Sequence, residues 1–289
     1  MRKKDVLHSP RLSQLKRRRQ RAIWGKILIL LLGLGAIFGL LTYLSRLKRL
    51  NISEVQVTGN NIVETEAIKA AVQEEVSGYY LWLFPKTNIF FYPKNKIKDA
   101  LTEKFERLKD ITISIKDRKT LEVSVSERSP EYTWCGATPL ATNNKTCYFL
   151  DETGYIFDVA PYFSGEIYFK FFGTVDSKDA DPTGTYLSEQ YFDNLIFFKE
   201  MLSTTLKLQP KSAYIADNGD VKIFLSPANP FSTTPEIMFK INSDFQQITE
   251  NLQTALATEP LLTDFKKKYS SLLYIDLRFG NKVYYKFKI

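Results

Sequence analysis

From Ile27 to Ser45 nineteen residues pass without a charge, and Leu and Ile dominate them. A helix crossing the hydrocarbon core of a bilayer needs about 20 apolar residues. A cleaved secretion signal carries a shorter apolar stretch, about 7–15 residues, closed by a small-x-small cleavage site. Here the run closes in Thr42-Tyr43-Leu44-Ser45-Arg46, with large side chains where a peptidase requires small ones. The pattern predicts a retained transmembrane helix over 24–45. Trp24 and Tyr43 fall near its two ends, where amphipathic aromatics sit at headgroup depth. Gly35 and Gly39 have the GxxxG spacing that lets helices approach, although glycine tolerated against lipid explains them equally well.

Beyond the apolar run the period changes. Ile52, Val55 and Val57 predict a strand ended by the turn residues Gly59-Asn60-Asn61. A helix follows, with Thr65 as its expected N-cap, Glu66 in the first turn and Ile68, Ala71, Val72 and Val76 at helical spacing up to Gly78. The next stretch, YYLWLFPKTNIFFYP, has two readings: a packed connector closing a small domain, or a surface that touches lipid or a partner. Pro93 suits the start of a second helix, whose stripe is Ile97, Ala100, Leu101, Phe105 and Leu108. Ile111, Ile113 and Ile115, then Leu121, Val123 and Val125, alternate as two strands around the polar loop Lys116–Lys119. The order β-α-α-β-β describes two helices on one face of a three-stranded sheet.

The remainder is richer in strands. CYFLDETGYIF reads as strand, turn at Asp151–Gly154, strand. Residues 166–172 form another apolar strand, and a polar loop spans Asp179–Gly184. Leu187, Tyr191, Leu195, Phe198 and Leu202 trace a helix stripe. A hairpin turns at Asn218-Gly219. A strand near Ile237–Ile241, a helix from about Asp244 to Leu256 and a closing hairpin around Gly280-Asn281 complete the chain. The fold class expected is α+β, with a mixed sheet and flanking helices in the second domain.

Charge sharpens the topology. The formal net charge is +8 over 289 residues. Residues 1–26 hold ten Lys/Arg and only Asp5 as an acid, so the rest of the chain is close to neutral. A neutral body argues against a nucleic-acid-binding domain. A basic tail beside an apolar helix instead sets orientation, because only Arg46, Lys48 and Arg49 closely follow the run. The N-terminus is expected in the cytoplasm and the body outside it. There, Cys135 and Cys147 form a disulfide or remain two free thiols; two ligands without a nearby His are too few for a metal.

These segments resemble a known family. VTGNNIVETEAI at the first turn and helix, with VSVSERSPEYTW at the last strand's exit, is similar to the POTRA domain of the bacterial division family FtsQ/DivIB. Glu127-Arg128-Ser129-Pro130 matches that family's acidic-basic-x-Pro exit. The Phe149-x-Asp151-x-x-Gly154-x-x-Phe157 hairpin and the terminal YIDLRFGNKVYYK resemble its β-domain. The resemblance covers roughly residues 20–289. It implies a basic cytoplasmic tail (1–23), a membrane helix (24–45), a POTRA domain (50–128) and a β-domain (129–289). It implies a location in the cell membrane at the division septum, and the bitopic partners FtsB, or its DivIC counterpart, and FtsL.

The residues offer little catalytic equipment. The single histidine, His8, lies in the tail, so the body has no Ser-His or Cys-His pair and no HExxH. No phosphate-cradling glycine loop appears. Asp151, Asp217 and Asp276 are assigned to turns or surface. No cofactor, metal or small-molecule substrate is expected, and binding is the expected activity. The rivals are a membrane-anchored wall enzyme and a POTRA-containing secretion or assembly factor. In the last strand Val283, Tyr285 and Phe287 share one face, while Lys282, Tyr284, Lys286 and Lys288 share the other. As an exposed edge this strand would accept a partner strand; its lysines alternatively serve only to prevent aggregation. Candidate partner-binding residues are Arg278, Lys282, Val283, Tyr284, Tyr285, Lys286 and Phe287.

Overall fold

The structure, a computed structural model, describes residues 10–139, 146–163, 165–175 and 182–288, with side chains from residue 19 onward. Asp5 and His8 of the tail, residues 140–145 between the cysteines, Asp179 of the polar loop and Ile289 lie outside the described residues. The chain divides into two units. One comprises Met1–Phe105 and Asp110–Ser126, the other Glu106–Lys109 and Glu127–Ile289.

The first unit begins with α1 (Pro10–Ser45), whose segment Arg19–Ser45 is long and apolar enough to cross a membrane. The elements β1 (Glu54–Thr58), α2 (Thr65–Val76), β2 (Tyr79–Tyr80), β3 (Phe84–Pro85), α3 (Lys94–Lys104), β4 (Leu108–Ile115) and β5 (Thr120–Glu127) follow. The sheet order is β1-β5-β4, with β1 parallel to β5 and Val55 and Val57 opposite Leu121 and Val123. Ile68, Ala71 and Val72 of α2 and Ile97 and Leu101 of α3 are buried, as are Ile111, Ile113, Leu121, Val123 and Val125 of the sheet. This is the apolar stripe and strand alternation expected from the sequence.

Two local expectations fail. Thr65 is the first helical residue and Glu64 occupies the cap position. The Thr65 hydroxyl instead accepts a bond from Asn60 Nδ2 at 2.9 Å, so the preceding turn takes the oxygen that would have capped the helix. Leu108 does not extend the stripe of α3. The helix stops at Lys104, and Leu108 opens β4, fully buried on the strand.

The second unit carries one mixed sheet. Its elements are β6 (Tyr132–Trp134), β7 (Cys147–Leu150), β8 (Tyr155–Ala160), β9 (Phe169–Gly173), β10 (Gly184–Thr185), α4 (Glu189–Thr204), β11 (Pro210–Ile215) and β12 (Asp220–Leu225). Then come β13 (Glu236–Lys240), α5 (Phe245–Ala257), α6 (Leu261–Lys268), β14 (Leu272–Phe279) and β15 (Lys282–Phe287). Among the described residues ten strands run in the order β10-β8-β7-β6-β9-β11-β12-β13-β14-β15. The β6–β9, β9–β11 and β13–β14 pairs are parallel. Parallel neighbours need crossover connections; α4 lies in the one between β9 and β11, and α5 and α6 lie in the one between β13 and β14.

The core forms where these helices meet the sheet. Phe192 and Phe198 of α4, Leu252 of α5 and Phe171 and Phe239 of the sheet are fully buried. Phe171 packs edge-on or tilted against Tyr132, Phe169, Tyr186 and Phe192, with ring centroids 5.0–5.8 Å apart. The stripe of α4 is Phe192, Leu195, Phe198, Met201 and Leu202. Leu187 precedes the helix, and Tyr191 is 39% exposed. Leu195, Phe198 and Leu202 are buried as expected, and the difference lies at the start of the helix, where Phe192 and not Tyr191 turns inward to pack against Phe171.

Candidate interaction surface

Gly280 and Asn281 turn the chain between β14 and β15. Gly280 adopts φ +62°, in the left-handed region that an unbranched backbone enters at little cost. Helix α5 holds this turn: Asn251 Nδ2 donates to the Gly280 carbonyl at 3.0 Å, and Gln247 Nε2 donates to Asn281 Oδ1 at 2.7 Å. From the turn, β15 runs antiparallel to β14, with Tyr285 opposite Ile275 and Tyr284 opposite Asp276.

Strand β15 is the last in the sheet order, and no described strand pairs with its other side. Its side chains alternate without a break. Val283, Tyr285 and Phe287 are half-buried and pack against the core, while Lys282, Tyr284 and Lys286 are exposed. Tyr284 is 48% exposed and its ring meets exposed Phe279 edge-on at 5.2 Å. An open strand edge bordered by an aromatic pair and two lysines is therefore available. Unpaired N–H and C=O groups on such an edge can bond a further strand.

Arg278 lies elsewhere, on β14. Its Nη2 is 2.6 Å from Asp276 Oδ2, its Nε is 2.9 Å from Asp276 Oδ1, and its Nη1 is 2.9 Å from Asp220 Oδ2. Asp276, then Asp220, push the pKa of the guanidinium up. Lys240, 2.6 Å from Asp220 Oδ1, and then Arg278, hold Asp220 below the usual carboxylate range against the opposing effect of burial. The charge of Arg278 is thus largely answered inside the unit. Its carboxylate Asp220 stands 58 residues earlier, so no local signal in the sequence marks the pairing.

Of the other singled-out carboxylates, Asp217 is exposed in a turn as expected, and Asp151 and Asp276 are buried. Asp276 is buried beneath Arg278. Asp151 is fully buried, accepts bonds from the Thr153 and Tyr155 backbone N–H groups at 2.9 and 3.0 Å, and pairs with Arg128. The turn role expected of it is present; the burial was not expected. Asp217 accepts a bond from the Thr174 hydroxyl.

Cys135 and Cys147 are joined as a disulfide. Beside them lies a cavity of about 390 Å³ lined by Thr133, Cys147, Ala160, Phe163, Tyr168 and Lys170, among others. Among the described residues its wall carries no carboxylate or histidine. No group of three or more His, Cys, Asp and Glu side chains converges among the described residues.

Residues 50–128 match the family model described as the POTRA domain, FtsQ-type, a domain of a division-related family. No curated protein matches the chain. The matched stretch keeps the β-α-α-β-β order read from the sequence, with the two-residue strands β2 and β3 added between the helices, and it follows α1, whose apolar segment is of membrane-spanning length.

Proposed function

We propose that the chain is a bitopic scaffold of the bacterial divisome, an FtsQ/DivIB-like protein that gathers septal wall-synthesis proteins without turning over a substrate. Residues 1–23 lie in the cytoplasm, 24–45 cross the cell membrane, and the POTRA domain (50–128) and β-domain (129–289) face the extracytoplasmic side at the septum. The anchor confines both domains to one surface, which raises their effective concentration toward other membrane-bound division proteins.

The observation that carries this reading is the open edge of β15 in a chain that also carries an FtsQ-type POTRA domain. A strand from an FtsB- or DivIC-like protein, held with an FtsL-like partner, would extend the sheet through main-chain bonds. Tyr284, Lys282 and Lys286 would select its side chains, the lysines favouring acidic ones. No cofactor takes part.

The test is a bacterial two-hybrid assay of the full chain against FtsB-, DivIC- and FtsL-like proteins, with Lys282→Glu/Lys286→Glu and Tyr284→Ala as variants and midcell fluorescence as a second readout. Lost capture by well-folded variants supports the terminal-strand role. Undiminished capture by all of them, and by a chain lacking 282–289, would remove it.

A further inference from the structure

Phe38 lies within the apolar run of α1, seven residues before its end at Ser45. Its ring meets Phe84 edge-on, with centroids 5.6 Å apart. Seven residues of helix correspond to about 10 Å along the axis. Phe84 and the turn that carries it therefore reach back beside the membrane helix and do not stop at its end. Other bonds fix this arrangement. Asn88 Nδ2 donates to the Ser45 carbonyl at 3.0 Å, and Arg46 donates through Nε to the Leu83 carbonyl at 3.3 Å and through Nη2 to the Trp82 carbonyl at 3.4 Å. Phe38, Thr42 and Ser45 share one face of α1 by helical spacing. Phe38 and Ser45 on it meet Phe84 and Asn88.

The side chains at the tip point away from this support. Trp82 is 91% exposed, Leu81 79% and Phe90 72%. Leu81 and Trp82 also adopt φ of +47° and +65°. A tight turn in water favours Asn or Gly at such positions, since bulky residues are strained there. In water the choice of Leu and Trp carries two penalties, strain and exposure. In a bilayer the second becomes a gain. Arg46, Lys48 and Arg49 are exposed just past the end of the apolar run, at the level where lipid phosphates lie.

We propose that the Tyr79–Tyr92 segment is a second membrane contact, with Leu81, Trp82, Phe90 and Phe91 seated in the upper acyl chains of the leaflet on the body's side. This rests on α1 being a retained anchor, as proposed above. The bonds from Arg46 answer two backbone carbonyls of the turn, which is what a non-helical segment entering lipid requires. The contact makes the first unit, which holds the POTRA domain, a body seated on the membrane surface instead of one swinging from a single helix.

The experiment uses the full chain carrying Trp24→Phe in vesicles of phosphatidylcholine and phosphatidylglycerol, with lipids brominated on upper acyl carbons as quenchers and acrylamide as the aqueous one. The difference between this chain and its Trp82→Phe derivative reports Trp82 alone, because Trp134 is common to both. The expected result is blue-shifted Trp82 emission that brominated lipid quenches and acrylamide does not. Quenching by acrylamide alone, with the chain still floating with vesicles after alkaline extraction, overturns the inference and leaves the anchor intact. Release from vesicles on alkaline extraction overturns both. Trp82 that escapes brominated lipid, and is shielded from acrylamide only when an FtsL-like protein is co-reconstituted, overturns the lipid contact in favour of a protein one.

Discussion

Arg128 Nη1 stands 2.5 Å from Asp151 Oδ2, and the carboxylate it meets is fully buried. Arg128 belongs to the Glu-Arg-x-Pro exit and Asp151 to the turn of the β7–β8 hairpin, so two separate motifs meet in one ion pair. The guanidinium also lies 3.8 Å over the Tyr155 ring, whose hydroxyl donates to Glu106. Burial, then Glu106, pushes the Tyr155 phenol up to about 12. Burial alone would raise the pKa of Asp151, but bonds from Thr153, Tyr155 and Arg128 outweigh it and hold the carboxyl below its usual range.

A carboxylate depressed in this way stabilises the fold above its unfolded pKa, about 4, and that contribution disappears as pH falls through the lower folded value. Asp151→Asn is expected to cost about 3–5 kcal/mol at neutral pH, since it leaves Arg128 unanswered. Denaturant unfolding of the detergent-solubilised chain between neutral pH and pH ~3 checks both points. The gap between wild type and variant should narrow on acidification; a constant gap would contradict the pairing.

Gly59 is irreplaceable for a steric reason. A Cβ built there would lie 2.0 Å from the Val125 carbonyl oxygen, at a backbone φ of +88°. Neither the backbone of β5 nor the turn can yield. Gly59→Ala is expected to lower the stability of the first unit by more than about 1 kcal/mol. Faster protease cleavage within 50–126, relative to cleavage in the second unit, is the measurement.

The Cys135–Cys147 bridge closes a loop of sequence separation 12. Loop-closure entropy then makes the bridge worth about 3 kcal/mol. A Cys135→Ala/Cys147→Ala chain should unfold at correspondingly lower denaturant, and reductant should shift the wild type toward it. Unfolding that ignores reductant would show that the bridge constrains nothing.

Arg278 and Lys286 should behave oppositely although both are basic. Arg278→Ala leaves buried Asp276 without its partner and is expected to destabilise by about 3–5 kcal/mol. Lys286→Ala, on an exposed position of β15, should change stability by less than about 0.5 kcal/mol. Paired stability and partner-capture measurements separate them: loss of capture without loss of stability is expected only at Lys286.

Local patterning foretold much of this architecture. The two-residue period of β15, with Val283, Tyr285 and Phe287 turned inward, was readable because alternation depends on the backbone alone. The helices α2, α4 and α5 announced themselves by apolar spacing in the same way. Five elements left little trace: the two-residue strands β2 and β3 within the aromatic stretch, and three in the second unit. The strands β6 and β10 are three and two residues long, too short for a period, and α6 begins only after a turn at Pro260. At the candidate edge, Arg278 was grouped with the open lysines because proximity in sequence was the only guide.

What the sequence determined by itself was a membrane-length apolar helix, an ordered series of helices and strands, and one alternating strand at the end, all properties of neighbours along the chain. What tertiary structure decided was which strands lie side by side, that β15 ends the sheet, and that Asp151 and Asp220 face arginines. Those outcomes depend on residues tens of positions apart meeting in a core, where burial turns an ordinary surface charge into one that must find a partner.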